Sequence, residues 1–187
     1  MIAVIGEMGV SFNPVDGRWE KSFSGLGYDW VSRLRAEKLD TLFLTVLPFG
    51  RIGREFSDEL LRLGAVFDPD IRENMNPFIG IDGEWYMKGS ASTALDAEKL
   101  TASFSYFSDI KSVVVSSSIL SYNPSASATL DAVSFMFPLP RVAVDTGCEE
   151  GIIGNHDILE RTLSAFSSSI PDVLITDDKS RILDFVR

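Results

Sequence analysis

Short apolar runs recur along the chain, and most are followed by a segment whose apolar residues return at helical spacing. Ile2–Ile5 is wholly apolar and ends at Gly6, the pattern of a strand covered on both faces in a parallel sheet. Residues 28–39 form a predicted helix, with Trp30, Val31, Leu34 and Leu39 on roughly one face. Residues 42–47 are the next buried strand, stopped by Pro48. Ile52, Phe56, Leu60 and Leu63 again recur at helical spacing, and Gly64 is a natural stop. Residues 65–67 and Phe78–Ile81 read as strands, and Asp82-Gly83 is a hairpin signal with 84–87 returning. Residues 19–23 alternate polar and apolar, as a half-exposed strand does.

The second half repeats the theme. It reads as a helix over 95–104, a buried strand over 113–115 followed by three serines, and a helix over 126–137 closed by Pro138 and Pro140. A buried strand over 142–144 ends at Asp145, and a helix over 157–166 starts at Asp157. A last strand over 173–175 precedes a helical tail over 179–187. Strands alternating with helices predict an α/β domain with a parallel sheet over 1–187. The hairpin, with the strands near Trp19 and Val66, predicts a small second sheet from segments near 17–23, 65–68 and 77–88.

The chain's 187 residues and 45% hydrophobic content suffice for one substantial core. Its net charge of −10 argues against nucleic acid and against an anionic membrane surface, both of which recruit lysine and arginine. No stretch approaches the ~20 apolar residues of a membrane span. The single cysteine, Cys148, excludes an internal disulfide and a cysteine-rich metal site. Together these predict a cytoplasmic protein.

Gly25-Leu26-Gly27 precedes an amphipathic helix, a buried strand follows, and Gly53 opens the next helix. In residues and order this resembles the first signature of the ribokinase-like (PfkB) sugar kinases: Gly-Gly, three residues, Asn, a helix, a strand, then Gly-Asp and a later Phe-Gly. Laid on without a gap, the Gly-Gly falls on Ser24-Gly25, the Asn on Asp29 and the Phe-Gly on Ile52-Gly53. Ile5-Gly6-Glu7 matches the family's first strand and turn, Asp82-Gly83 its lid hairpin, and Asp145 the aspartate ending a core strand. The resemblance implies a three-layer α/β/α ribokinase-like core, C-terminally truncated, under a small β lid. It also implies sugar binding by Ser11, Gly25, Gly27 and Asp29.

The departures bear on activity. The family's substrate-binding aspartate falls on Ser11, and its Gly-Asp falls on Pro48-Phe49, an apolar ring in place of an acceptor. Its Asn-x-Arg falls near Gly147 and Glu149, and its magnesium-organising Asn-x-x-Glu near Asp177 and Ser180. The segment that carries the family's catalytic base and anion hole lies beyond Arg187. Phosphoryl transfer rests on positioning and electrostatics, so the resemblance implies a protein that has lost its chemistry. No cofactor is then expected. The alternative is an ATP- and magnesium-dependent sugar or nucleoside kinase completed by another chain.

Several residues admit two readings. Gly25 and Gly27 line a sugar pocket or simply permit a tight turn, the simpler account. Asp29 binds a ligand hydroxyl or complements the helix dipole. Glu7, Ser11 and Asp16 face a cleft at the strand ends or serve turn chemistry. Asp145, Glu149 and Glu150 hold a cation or form a solvated loop, the latter favoured. His156 reads as a cap-region residue and Cys148 as a small apolar one, and no nucleophile elbow surrounds Ser116–Ser118. The family often dimerises through its lid, so Phe78, Ile79, Ile81, Trp85 and Met87 are expected to form the interface of a homodimer. The expected ligand is a small sugar or nucleoside.

Overall fold

A computed structural model describes residues 1–187 except Pro69, Asn74 and Ser108. In chain order the strands are β1 Ile2–Ile5, β2 Gly9–Val15, β3 Arg18–Ser24, β4 Thr41–Leu44, β5 Val46–Pro48 and β6 Val66–Phe67. They continue as β7 Asp70–Arg72, β8 Phe78–Ile81, β9 Glu84–Tyr86, β10 Ser112–Ser116, β11 Arg141–Asp145 and β12 Val173–Thr176. The helices are α1 Leu26–Ala36, α2 Arg51–Leu63, α3 Ala97–Tyr106, α4 Ser117–Leu120, α5 Ser125–Ser134, α6 His156–Ser169 and α7 Lys179–Val186.

The central sheet runs β12-β11-β10-β1-β4-β6, with every pairing parallel. Its apolar strands alternate between two cores, because successive side chains leave opposite faces. Ala3, Ile5, Val113, Val115, Val142 and Val144 meet Leu100, Phe104, Ala132 and Phe166 of α3, α5 and α6. Ile2, Val4, Phe43, Val114 and Ala143 meet Trp30, Leu34, Phe56, Leu60 and Ile182 of α1, α2 and α7. The result is the three-layer α/β/α arrangement that the resemblance implies.

Local chemistry sets several helix starts. Asp96 Oδ1 accepts the Lys99 N–H at 3.0 Å and Asn155 Oδ1 accepts the Ile158 N–H at 3.1 Å. Asp178 Oδ1 accepts the N–H groups of Ser180 and Arg181. These caps satisfy donors that a helix start otherwise leaves unpaired. The α6 cap is therefore Asn155 rather than Asp157, and His156 is its exposed first residue.

The second sheet runs β3-β2-β8-β9 and forms the lid. Its composition corrects the sequence expectation. Segment 65–68 contributes β6 to the edge of the central sheet, where it pairs with β4. The fourth lid strand is β2, which pairs with both β3 and β8 and is absent from the expected set. Its signal was present: Asp16-Gly17 has the positive φ values (49° and 75°) of a two-residue hairpin turn, like Asp82-Gly83 at 50° and 80°. Asp16 is thus a turn residue. Residues 42–47 also divide, β4 joining the central sheet while β5 leaves it to pair with β7.

Phe166 is fully buried between α6 and the sheet. Phe166→Ala is expected to lower unfolding stability by about 3–5 kcal/mol through lost burial and a residual cavity, as measured by urea titration.

Candidate functional site

Parallel strands bring the loops after β1, β10, β11 and β12 to one end of the sheet, the usual ligand-binding end of α/β folds. A cleft of about 450 Å3 opens there beneath the lid. Ser11, Asn13, Ser24, Gly25 and Asp29 line one wall. Gly83 and Trp85 of the lid hairpin cover it, and Gly147, Cys148, Glu149 and Lys179 form the opposite wall.

The joint beneath this cleft is built on Glu7, which is fully buried just after β1. Its Oε1 accepts the Leu26 N–H at 2.7 Å and so holds the start of α1. Its Oε2 has no hydrogen-bond partner. Burial pushes its carboxyl above the usual pKa, and the nearby hydroxyls of Ser118 and Ser116 oppose that only partly. Gly25 has φ 114°, a conformation side chains disfavour, and lines the cleft while making the turn. Gly27 does not line it. A Cβ on Gly27 would lie 2.8 Å from both the backbone N and O of Glu7, so this glycine serves close packing. Its expected role as a sugar contact is corrected accordingly.

Asp29 does reach the cleft, from the first turn of α1. Surrounding protein raises its pKa, while the Lys179 ammonium across the cleft pulls it down. Ser11 also lines the cleft, with its hydroxyl bound to Ser22 Oγ at 2.7 Å across the β2–β3 pair. Ser24 Oγ, in the same wall, is shielded and has no partner.

The acidic group at the end of β11 separates on inspection. Asp145 is fully buried: its Oδ2 accepts the Trp30 Nε1–H at 2.6 Å and its Oδ1 the Gly147 N–H at 2.8 Å. Glu149 accepts the Trp85 indole N–H and thereby fastens the lid hairpin to the opposite wall. Glu150 is exposed. Among the described residues no three His, Cys, Asp or Glu side chains are arranged to hold a metal ion.

Trp85 lies over the cleft because Gly80 leaves it room; a Cβ there would sit 2.3 Å from the indole. Phe78 supports it from below, ring centroids 5.1 Å apart. Phe49 is 66% exposed and lies outside the cleft, so it puts no apolar ring into the pocket. Burial raises the Cys148 thiol pKa, and the Ser117 Oγ 3.2 Å from its sulfur opposes that only partly, so the cysteine is not set up as a nucleophile. Ser116 and Ser118 bond each other at 2.6 Å beside Glu7. A hollow of about 610 Å3 on the other side of Trp85 is less equipped, since the Tyr122 hydroxyl and Ser121 Oγ are already bound to backbone groups.

No family model matches the chain, and no curated sequence matches it significantly. Its fold, however, is shared with solved sugar and nucleoside kinases. A sugar kinase from Pyrococcus horikoshii is similar at TM-score 0.75 and 18% identity, over 94% of this chain and 64% of that one. Aminoimidazole riboside kinase from Salmonella enterica is similar at TM-score 0.76 and 16% identity, over 90% of this chain and 57% of that one. Fructokinase from Xylella fastidiosa, solved with bound ATP, is similar at TM-score 0.75 and 14% identity, over 88% and 58%. The protein has the ribokinase-like fold, and it spans about 60% of the length of the kinases it resembles.

Two outcomes follow from the buried carboxyls. Trp30→Phe is expected to cost about 2 kcal/mol in a urea titration, because a bond to a carboxyl acceptor is lost inside the core. Glu7 holds its proton more tightly when folded, so its contribution is complete below the ordinary pKa of 4.5 and is lost as pH rises through the folded value. Glu7→Gln is therefore expected to gain melting temperature relative to the parent as pH rises from about 5 to 8. A difference independent of pH would contradict this.

Proposed function

We propose that this chain is a kinase-like small-molecule-binding protein that takes a polyhydroxylated ligand beneath its lid and does not itself transfer phosphoryl groups. One observation carries the reading: the cleft presents two carboxyl groups, Asp29 and Glu149, against a single ammonium, Lys179. A triphosphate needs a concentration of positive charge and free backbone N–H donors. These residues do not suit one.

They suit a sugar or nucleoside better. Asp29, Asn13 and Lys179 supply acceptors and donors for hydroxyls. The indole of Trp85 offers an apolar face for the C–H side of a sugar ring. The charge balance favours a neutral or amino-bearing polyol over an acid or a phosphate ester. The names of similar kinases, a fructokinase and an aminoimidazole riboside kinase, support the same ligand class. A reducing, cytoplasmic setting is part of the proposal and is supported by the lone free thiol of Cys148. No helix among the described residues is long and apolar enough to cross a membrane.

A second reading has its own support. All four residues of β12 are only half-buried, whereas β10 is buried throughout. Such an edge is able to accept a further strand. A nucleotide-binding partner chain pairing there would give an ATP-dependent kinase acting on a sugar or nucleoside hydroxyl, as in proteins that bind ATP on this fold.

A thermal-shift panel of neutral sugars, amino sugars, sugar acids, nucleosides and ATP tests the main reading. A neutral or amino polyol is expected to raise the melting temperature most, since a ligand bound only to the folded state stabilises it by mass action. Asp29→Asn and Trp85→Ala are each expected to weaken that ligand about tenfold, a change of ~1.4 kcal/mol. A larger shift from ATP than from any polyol would contradict it.

A further inference from the structure

Among the described residues the most exposed aromatic side chains lie at the end of the sheet opposite the cleft. In a parallel α/β layer the helices run against the strands, so α3 and α5 finish where β10 and β11 begin. There Tyr106 is 82% exposed, Phe135 80% and Phe137 98%, with Leu139 44% exposed beside them. Phe135 and Phe137 line a groove of about 210 Å3 together with Phe104, Phe107, Ile110 and Met136, and Tyr106 packs edge-on against Phe107 beside it, ring centroids 4.8 Å apart. None of the groove's lining residues is charged, in a chain whose net charge is −10. Exposed apolar patches of this kind on soluble proteins mark contact surfaces.

We propose that this patch is a self-association surface, occupied by a second copy of this chain related by a twofold axis. A twofold contact uses one patch twice and so needs a knob and a hole side by side. Phe137 projects almost wholly into solvent and stands on the rim of the groove. Across a twofold, the Phe137 ring of each copy enters the groove of the other.

The area reaches the range of a small interface. A buried aromatic side chain removes roughly 150–250 Å2 from water, so Tyr106, Phe135 and Phe137 on two copies supply about 900–1,500 Å2 at full burial. Stable interfaces begin near ~1,200 Å2 in total, which places the contact at the small, weaker end of the range. Charge points the same way. Two strongly acidic chains repel at long range, and an uncharged contact lets them meet without opposing carboxylates face to face.

The lid is less suited to this role. Phe78 and Met87, expected at a lid interface, are 1% and 2% exposed, and the Trp85 indole is bound to Glu149. The proposed contact leaves the lid and both clefts free, so it is independent of which ligand the cleft binds.

Sedimentation equilibrium of the full chain between about 1 and 100 μM is the test. The parent protein is expected to dimerise in the micromolar range, and more tightly as salt rises from low to physiological strength, because screening removes repulsion. Phe137→Asp, which sets two carboxylates against each other across the axis, is expected to weaken the dimer at least tenfold. Its circular dichroism and melting temperature should match the parent, since Phe137 makes little contact within its own chain. Phe135→Ser gives a second reading of the same surface. Trp19→Asp, on the exposed face of the lid, is expected to leave the dimer unchanged. A monomer throughout the range, or a dimer lost only with Trp19→Asp, overturns the proposal.

Discussion

The contact on which the cleft depends is the one between the start of α1 and the turn after β1. The backbone of Gly25–Gly27 lies against Glu7 so tightly that a single Cβ on Gly27 would collide with its main chain. The buried carboxyl of Glu7 then takes the Leu26 N–H. That seam fixes the root of the lid, the direction of α1 and, through α1, the positions of Asp29 and Trp30. Trp30 carries the constraint onward across 115 residues to Asp145 at the end of β11. One wall of the cleft is thus tied to the other through the interior, using buried polar groups that are costly to leave unpaired.

The cleft inherits its chemistry from what these structural bonds leave over. Asp145 is committed to Trp30 and Gly147, Ser11 to Ser22, and Glu149 to Trp85. Asp29, Asn13, Lys179 and the face of Trp85 remain to meet a ligand. Under the proposed function, such a set suits hydroxyl groups better than a phosphate chain. Fold and function are therefore argued separately: the architecture is shared with solved sugar kinases, while binding without transfer is proposed from the polar groups that line the cleft.

Much of the layer architecture was legible in the sequence because buried parallel strands write nearly continuous apolar runs. Ile2–Ile5, Val113–Val115 and Val142–Val144 each stand in the central sheet, with helices of the predicted periodicity between them. The lid was less legible. β2 is masked by Pro14 and by polar residues facing solvent, and only the Asp16-Gly17 turn betrays it. Val66 and Phe67 make too short a strand for periodicity to assign a sheet, and only pairing with β4 decides it. Within the site, Ser11, Gly25 and Asp29 could be placed from motif order. Gly27 could not, since a glycine in a pocket wall and one in a packed seam look alike in sequence. Lys179 and Trp85 were missed as cleft residues because nothing local marks them: one opens the last helix and the other arrives from the lid hairpin.

The most direct test of the account is transfer itself. Purified chain, once a polyol ligand is in hand, can be incubated with that ligand, magnesium and ATP labelled at the terminal phosphate. The account predicts polyol binding with no labelled sugar phosphate above the protein-free background. Labelled product accumulating over many turnovers of this chain alone would contradict it.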